Sequence, residues 1–415
     1  MHYFHYFVSA YFFVFLLIRH ASELGVVLFA LLGVVVLVVP NMRRVAFASM
    51  SGWQRQDTAM ALVFSSVFMF KLIASSWSAS PQLGLSNALW HAHFAVWPLV
   101  FVAMLYCKPQ LNQVLSGLSL ALIFTGVWTA WSLFSGHPSF YPLVFKINTG
   151  VLAQLVLVCG SLLLVAASTQ YENKRAWHSY LYTAGLIGAL IVLYFSDRRT
   201  EWLAFFALAS LINIWQLRNW FTPARAVLAA CIFFAALLLI VYLRQERFAL
   251  AYREIVHYFT VLGLDSSAVN TSVGARLEMY RLGLSAFLDH PFFGMGSGVR
   301  PYLLQAYGGL GESQLPHRHF HSEYLQTLVE GGIVWALLLS AAIVYWFKRA
   351  MFASYQHTHL LATLAASLSM CYLLSGSISA GLIYGPANAL LVMCSALIWV
   401  CIRQKSMINA AQKDI

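Results

Sequence analysis

Apolar runs of nearly uniform length dominate this 415-residue chain. A helix needs about 20 apolar residues to span the hydrocarbon of a bilayer. Twelve segments meet or approach that length: 3–18, 24–40, 59–77, 88–106, 114–134, 149–168, 179–196, 201–217, 225–243, 322–347, 358–376 and 382–402. The pattern predicts an all-α integral membrane protein of about 12 transmembrane helices. The first run lacks a basic leader and a small-residue cleavage site, so an uncleaved helix is expected there.

One long segment, 244–321, departs from this pattern and divides the chain into 1–243, 244–321 and 322–415. Within it, 244–260 (RQERFALAYREIVHYFT) and 275–288 (ARLEMYRLGLSAFL) place apolar residues at helical spacing with charges between them. Amphipathic helices of this kind lie on a membrane surface or roof a cavity. Pro291 is expected to stop the second helix. The GMGSG that follows (294–298) reads as a flexible turn; no strand precedes it, so it is not a dinucleotide fingerprint. The tenth run is expected to be one unbroken helix with Glu323, Gln326 and Glu330 on one face, and Leu325 and Leu328 directed away. A polar stripe on a spanning helix must face the bundle or a water-filled cavity.

Composition excludes a soluble domain: 60% of residues are hydrophobic and 9% charged, against about 25% charged in soluble proteins. The net charge of +11 is unevenly placed. If the N-terminus is cytoplasmic, thirteen Lys and Arg fall in the loops on that side. Four (Arg19, Lys146, Arg198 and Arg199) fall in the short loops opposite. The positive-inside rule then puts both termini in the cytoplasm and 244–321 outside, in the periplasm of a bacterial inner membrane. That segment carries seven basic and six acidic residues. No Lys/Arg tract with interleaved aromatics points to nucleic acid. The six cysteines all lie in or beside apolar runs, which suits small core packers rather than disulfides or a zinc site.

Chemistry-bearing residues concentrate at 317–332, HRHFHSEYLQTLVEGG. The helix starting near Ser322 presents its N-terminus to the outer surface, and such an end attracts anions. His321 precedes it, with an ordinary pKa of about 6.5 suited to acid–base work. SDRRTEW (196–202) brings Arg198 and Arg199 to the same surface, and Arg276 opens the second amphipathic helix. Arginine forks match phosphate oxygens. Together these residues suggest a pyrophosphate site with an acid/base beside it. Other readings stay open. Arg198 also suits snorkelling to lipid headgroups, and His317 and His319 suit a polar linker. His317, His319 and His321 with Glu323 match a transition-metal cluster, but no second ligand group is evident, so neither a metal nor another cofactor is expected. Lys71 either snorkels outward or adds charge to the cavity. His91 and His93 are expected at the interface.

The blocks GARLEMYRLGLSAFLDHPFFGMGSG (274–298) and HSEYLQTLVEGGIVW (321–335) resemble, in spacing and order, those of the O-antigen ligase and polymerase superfamily. The layout, with one large loop between the ninth and tenth spans, is similar to the ligase branch. The resemblance implies a glycosyltransferase with His321, Arg276 and Arg199 at its catalytic centre; Asp-Arg-Arg-Thr departs from the usual pattern there, which leaves Arg198 in competition. It also implies an undecaprenyl-pyrophosphate-linked O-antigen as donor, lipid A–core oligosaccharide as acceptor, and the bilayer as surroundings. Arg198, His319, Arg318, Glu323, Arg300 and Lys71 are candidates for substrate contact. Polymerases and protein O-oligosaccharyltransferases belong to the same superfamily. Polymerases carry paired Arg-x10-Gly motifs outside the membrane; one such match, Arg300 to Gly311, is found here. A flippase of lipid-linked sugars would need polar groups along a path across the bilayer, and Lys71 is almost the only deep charge.

Overall fold

The computed structural model describes residues 4–18, 20–48, 52–135, 149–172, 176–196, 199–217, 242, 245–261, 271–298, 319–355, 359–378 and 385–413. Among these residues every regular element is helical. In the first half of the chain the helices are α1 (Phe4–Val14), α2 (Ala21–Val38), α3 (Pro40–Ala48), α4 (Arg55–Ala74), α5 (Pro81–Leu89), α6 (Ala92–Ala95), α7 (Trp97–Cys107) and α8 (Leu111–Phe134). They continue as α9 (Thr149–Glu172), α10 (Ala176–Phe195), α11 (Arg199–Leu217), α12 (Gln245–Thr260), α13 (Ser272–Asp289), α14 (Glu323–Tyr355), α15 (His359–Ile378) and α16 (Gly385–Lys413). Seven of the described stretches are long and apolar enough to cross a membrane, in α2, α4, α8, α9, α10, α14 and α16.

Burial separates inner from outer helices. The apolar stretches of α9 and α16 are 89% buried, whereas those of α2, α4, α10 and α14 are 33–39% buried. The first pair forms the centre; the others present apolar side chains outward, where lipid would meet them. Aromatic stacking joins the elements on one side of α16. Phe64 lies flat on Trp97 at 5.0 Å, Trp97 on Phe101 at 5.4 Å, and the Trp97 indole donates to Ser395 Oγ at 2.9 Å. Where α8 crosses α10, a Cβ on Gly126 would stand 2.6 Å from Gly188 Cα. Small residues at such a crossing let backbones approach closely, which drives helix association in lipid.

The structure interrupts three of the expected continuous spans. The first is represented by α1, only 11 residues long. The fourth breaks into α5, α6 and α7, because Pro98 suits the first turn of a new helix rather than the middle of an old one. The tenth is interrupted within α14 at Gly332, whose φ of 63° and ψ of −164° are open essentially only to glycine. The eighth is α11, which already begins at Arg199 instead of leaving it in the preceding loop; the eleventh is α15, with a shorter apolar stretch at Leu360–Leu374. The ninth lies outside the described residues.

At Gly332 the helix loses its own backbone partners, and a second segment supplies them. Ile333 N donates to Pro291 O at 2.8 Å and Val334 N to Phe292 O at 3.2 Å. Met295 N donates to Val329 O at 2.8 Å and Gly296 N to Glu330 O at 3.0 Å. Residues 291–298 are therefore not a free turn: they are threaded against the break, with Gly294, Gly296 and Gly298 all at positive φ. Before them, α12 and α13 form a roof with its own small core, in which Tyr258, Met279, Leu282 and Ala286 pack with Phe320 and Val329. The α13 helix ends at Asp289, two residues before Pro291.

A Cβ at residue 332 would stand 2.3 Å from both the carbonyl carbon and oxygen of Phe292. Gly332→Ala should therefore destabilise the protein by about 1–3 kcal/mol from the backbone conformation alone, with the clash added. Tryptophan fluorescence of purified protein during thermal unfolding should show a lower midpoint, and an unchanged midpoint would contradict the account of the break.

Candidate functional site

The break isolates a short helical segment, Glu323–Gly331, that runs from the roof into the bundle. Ser322 starts it: its carbonyl accepts from Gln326 N at 2.9 Å and its hydroxyl from Leu325 N at 3.4 Å. Glu323, Gln326 and Glu330 are all buried, with Glu330 at 0% exposure. Glu330 lies near the C-terminal end of the segment, where the helix dipole disfavours a carboxylate. Four donors offset that. Lys71 Nζ pairs with Oε2, while Gln326 Nε2 (2.6 Å), Asn87 Nδ2 (2.9 Å) and Gly298 N (3.1 Å) donate to Oε1. Ser297 Oγ donates to Lys71 O at 3.0 Å, tying the threaded segment to α4.

Lys71 is thus neither snorkelling nor open to solvent; it is 2% exposed and ion-paired. A charge this deep is stabilised by an opposite charge and hydrogen bonds rather than by lipid. His91 also differs from its expected interfacial place. It is buried in the break between α5 and α6, with Nδ1 3.1 Å from Asn87 O. Asn87 had no functional signal in the sequence, since an asparagine between apolar runs reads as an ordinary turn residue, and Gly298 was visible only as the last glycine of the GMGSG stretch.

At the other end of the segment His321 adopts a left-handed backbone, φ 53°. Its amide donates to His319 Nδ1 at 3.1 Å, so Nδ1 presents a lone pair and any proton on a neutral His319 ring sits on Nε2. The two rings lie 4.3 Å apart at 59°. The Tyr280 hydroxyl donates to His321 O at 3.5 Å. Burial raises the Tyr280 pKa, and the charge of Arg276, one turn earlier on α13, partly offsets this. The roof thus brings Arg276 and Tyr280 toward the His321 turn. Close packing fixes that approach, because a Cβ on Gly283 would stand 2.6 Å from Leu325 Cδ2.

The remaining candidates lie on other elements or outside the described residues. Arg199 is the first residue of α11, and the α10–α11 turn is closed by the Trp202 indole donating to Leu193 O at 2.7 Å. Glu323 lines an apolar cleft of about 100 Å³ with Val67, Phe94, Ile343, Trp346 and Tyr372. Arg198, Arg300, His317 and Arg318 lie outside the described residues. Among the described residues, no three His, Cys, Asp or Glu side chains gather as a metal site.

Residues 184–340 match the family model described as O-antigen ligase. Over that stretch the chain is similar to the O-antigen ligase family. The matched stretch contains Arg199, Arg276, His321 and Glu330, while Lys71 and Asn87 come from outside it. The domain supports placement in the O-antigen ligase and polymerase superfamily, whose members are glycosyltransferase-like enzymes acting on lipid-linked sugars at a bilayer. No curated protein matches the chain.

The roof is held by a second ionic cluster. Arg281 donates to both oxygens of Glu278, from Nε at 2.9 Å and from Nη2 at 2.5 Å, and Tyr258 OH donates at 2.6 Å. Burial raises the Glu278 pKa, but the bonds from Arg281 and Tyr258 outweigh it and leave the carboxyl below its ordinary value. Burial and the same carboxylate push Tyr258 up to about 12.

Two predictions follow from this geometry. Removing one partner of a buried ion pair costs about 3–5 kcal/mol. Lys71→Met should therefore lower the thermal midpoint sharply, and the double variant Lys71→Met/Glu330→Gln should regain part of the loss; equal midpoints for wild type and Lys71→Met would contradict the pairing. For Glu278, the lowered pKa means stabilisation that is present at neutral pH and lost as acid protonates the carboxylate below its ordinary value near 4.5. Proteolysis between α12 and α13 should accelerate over that acidic range in the wild type but not in Glu278→Gln.

Proposed function

We propose that the protein is an O-antigen ligase of the bacterial inner membrane. It transfers a glycan from undecaprenyl pyrophosphate to a hydroxyl of lipid A–core oligosaccharide at the periplasmic face, with both termini cytoplasmic. The observation that carries this reading is the ligase match over 184–340, which takes in Arg199, Arg276 and His321 together. The apolar cleft ending at Glu323 suits a site approached from lipid. The grouping of Glu323, Gln326, Glu330 and Lys71 beside the His321 turn suits chemistry at one site.

In this reading the acceptor hydroxyl attacks the anomeric carbon of the donor. The new glycosidic bond forms as the bond from that carbon to the pyrophosphate oxygen breaks, and direct displacement inverts the anomeric centre. Arg276 and Arg199 bind the pyrophosphate and stabilise the charge that develops as it leaves. His321 accepts the proton of the attacking hydroxyl. Arg198, Arg300, Arg318 and His319 extend the polar surface for the glycan, and Glu323 borders the lipid side. Because pyrophosphate is a good leaving group and arginines supply the positive charge, no divalent metal is needed.

Purified protein should transfer glycan from the lipid-linked donor to lipid A–core, but not to a second donor molecule or to a pilin-type peptide. Transfer to either of those would assign a polymerase or a protein glycosyltransferase instead. His321→Ala should reduce transfer by about 100-fold or more, in line with loss of a general base. Arg276→Lys should fall at least about tenfold, because a lysine cannot fork onto two phosphate oxygens. Treatment with EDTA should leave the rate unchanged; loss of activity restored by a metal would overturn the metal-free mechanism.

A further inference from the structure

The His321 turn is held in an unfavourable conformation, and one side chain connects it to the ionic centre below. The Gln326 amide is 2% exposed and makes two bonds of opposite sense. Its Nε2 donates to Glu330 Oε1 at 2.6 Å, and its Oε1 accepts from Phe320 N at 3.2 Å. The direction is fixed chemically. A carboxylate oxygen can only accept from Nε2 and a backbone amide can only donate to Oε1, so the reversed amide would lose both bonds. Phe320 is wholly buried in the roof core and immediately precedes His321. Lys71 keeps Glu330 as the acceptor. A continuous line therefore runs from Lys71 through Glu330 and Gln326 to the peptide next to His321.

We propose that Gln326 is a positioning residue for His321. Resting on the ligase reading above, the role is to set the angle at which the imidazole meets the acceptor hydroxyl. A non-glycine residue at φ 53° persists only where its surroundings over-determine it. Among the described residues these bonds act on it: Gln326 on the amide before His321, His319 on its own amide, and Tyr280 on its carbonyl. Among the three, Gln326 alone ties the turn to the buried ion pair. A leucine or methionine would fill the space but release the Phe320 amide, while a glutamate would place a second carboxylate beside Glu330.

The test uses the full-length protein in the transfer assay at pH 8, with kcat and the donor KM measured separately. Gln326→Met should lower kcat by about 100-fold, the effect of misplacing a catalytic group by about an ångström. The donor KM should stay within about twofold, because the arginines that bind pyrophosphate are untouched. Gln326→Glu should lose at least as much.

A merely space-filling Gln326 would lower thermal stability without the kcat–KM split. That result, or full activity in Gln326→Met, overturns the positioning role. The functional reading fails separately: wild-type protein would then transfer to no lipid A–core, or His321→Ala would remain fully active.

Discussion

A backbone polar group inside a bilayer has no water to turn to, so every break in a spanning helix must be closed by protein. The rest of this site depends on how that requirement is met at Gly332. Residues 329–334 exchange four backbone bonds with 291–296, a short length of pairing between two segments in an otherwise helical molecule. Closing the break fixes the depth of the threaded segment. It also brings Gly298 N to Glu330 and carries the chain back to the roof helix that bears Arg276 and Tyr280. The same break creates the helical segment whose outer end presents His321. One local constraint on peptide groups thus sets the relative positions of residues far apart in sequence.

The charge distribution follows from it. A half-length helix has its two ends close together, with positive polarity at the His321 turn and negative polarity near Glu330. Lys71 neutralises the inner end, which leaves the outer end as the site's attractive face for anions. The roof adds Arg276 close to Tyr280 and the His321 carbonyl. The candidate binding arginine and the candidate base are therefore carried by different elements, α13 and the turn before α14, packed through Phe320, Leu325 and Gly283.

Much of this was legible in the residues and some was not. The two amphipathic helices announced themselves by helical spacing, and the stripe Glu323, Gln326, Glu330 announced its inward face because lipid tolerates no such row. The break did not, since Gly331 and Gly332 sit in an apolar run long enough to read as one helix; only the arrival of Phe292 against residue 332 demands it. The interruption of the fourth span was equally hidden, although Pro98 was a usable warning. The partner of Lys71 lay 259 positions away, and no periodicity reaches that far. Glu330 was visible as part of the stripe, but its role as a hub for Lys71, Asn87, Gln326 and Gly298 is a property of packing.

Helix α4 carries a buried charge near each end. At one end Lys71 pairs with Glu330. At the other, Asp57 accepts from the Trp399 indole at 2.8 Å and lies 3.3 Å from Arg403 Nε. Both counter-charges belong to helices made near the end of synthesis. A lone charge costs roughly 2.5–3.5 kcal/mol at the centre of a spanning helix and less toward its ends, so α4 is tolerated less well in the bilayer until α14 and α16 supply its counter-charges. A ribosome that stalls before the last third leaves α4 with two unmatched charges in lipid. Such a chain carries its own mark of incompleteness, independent of the active site.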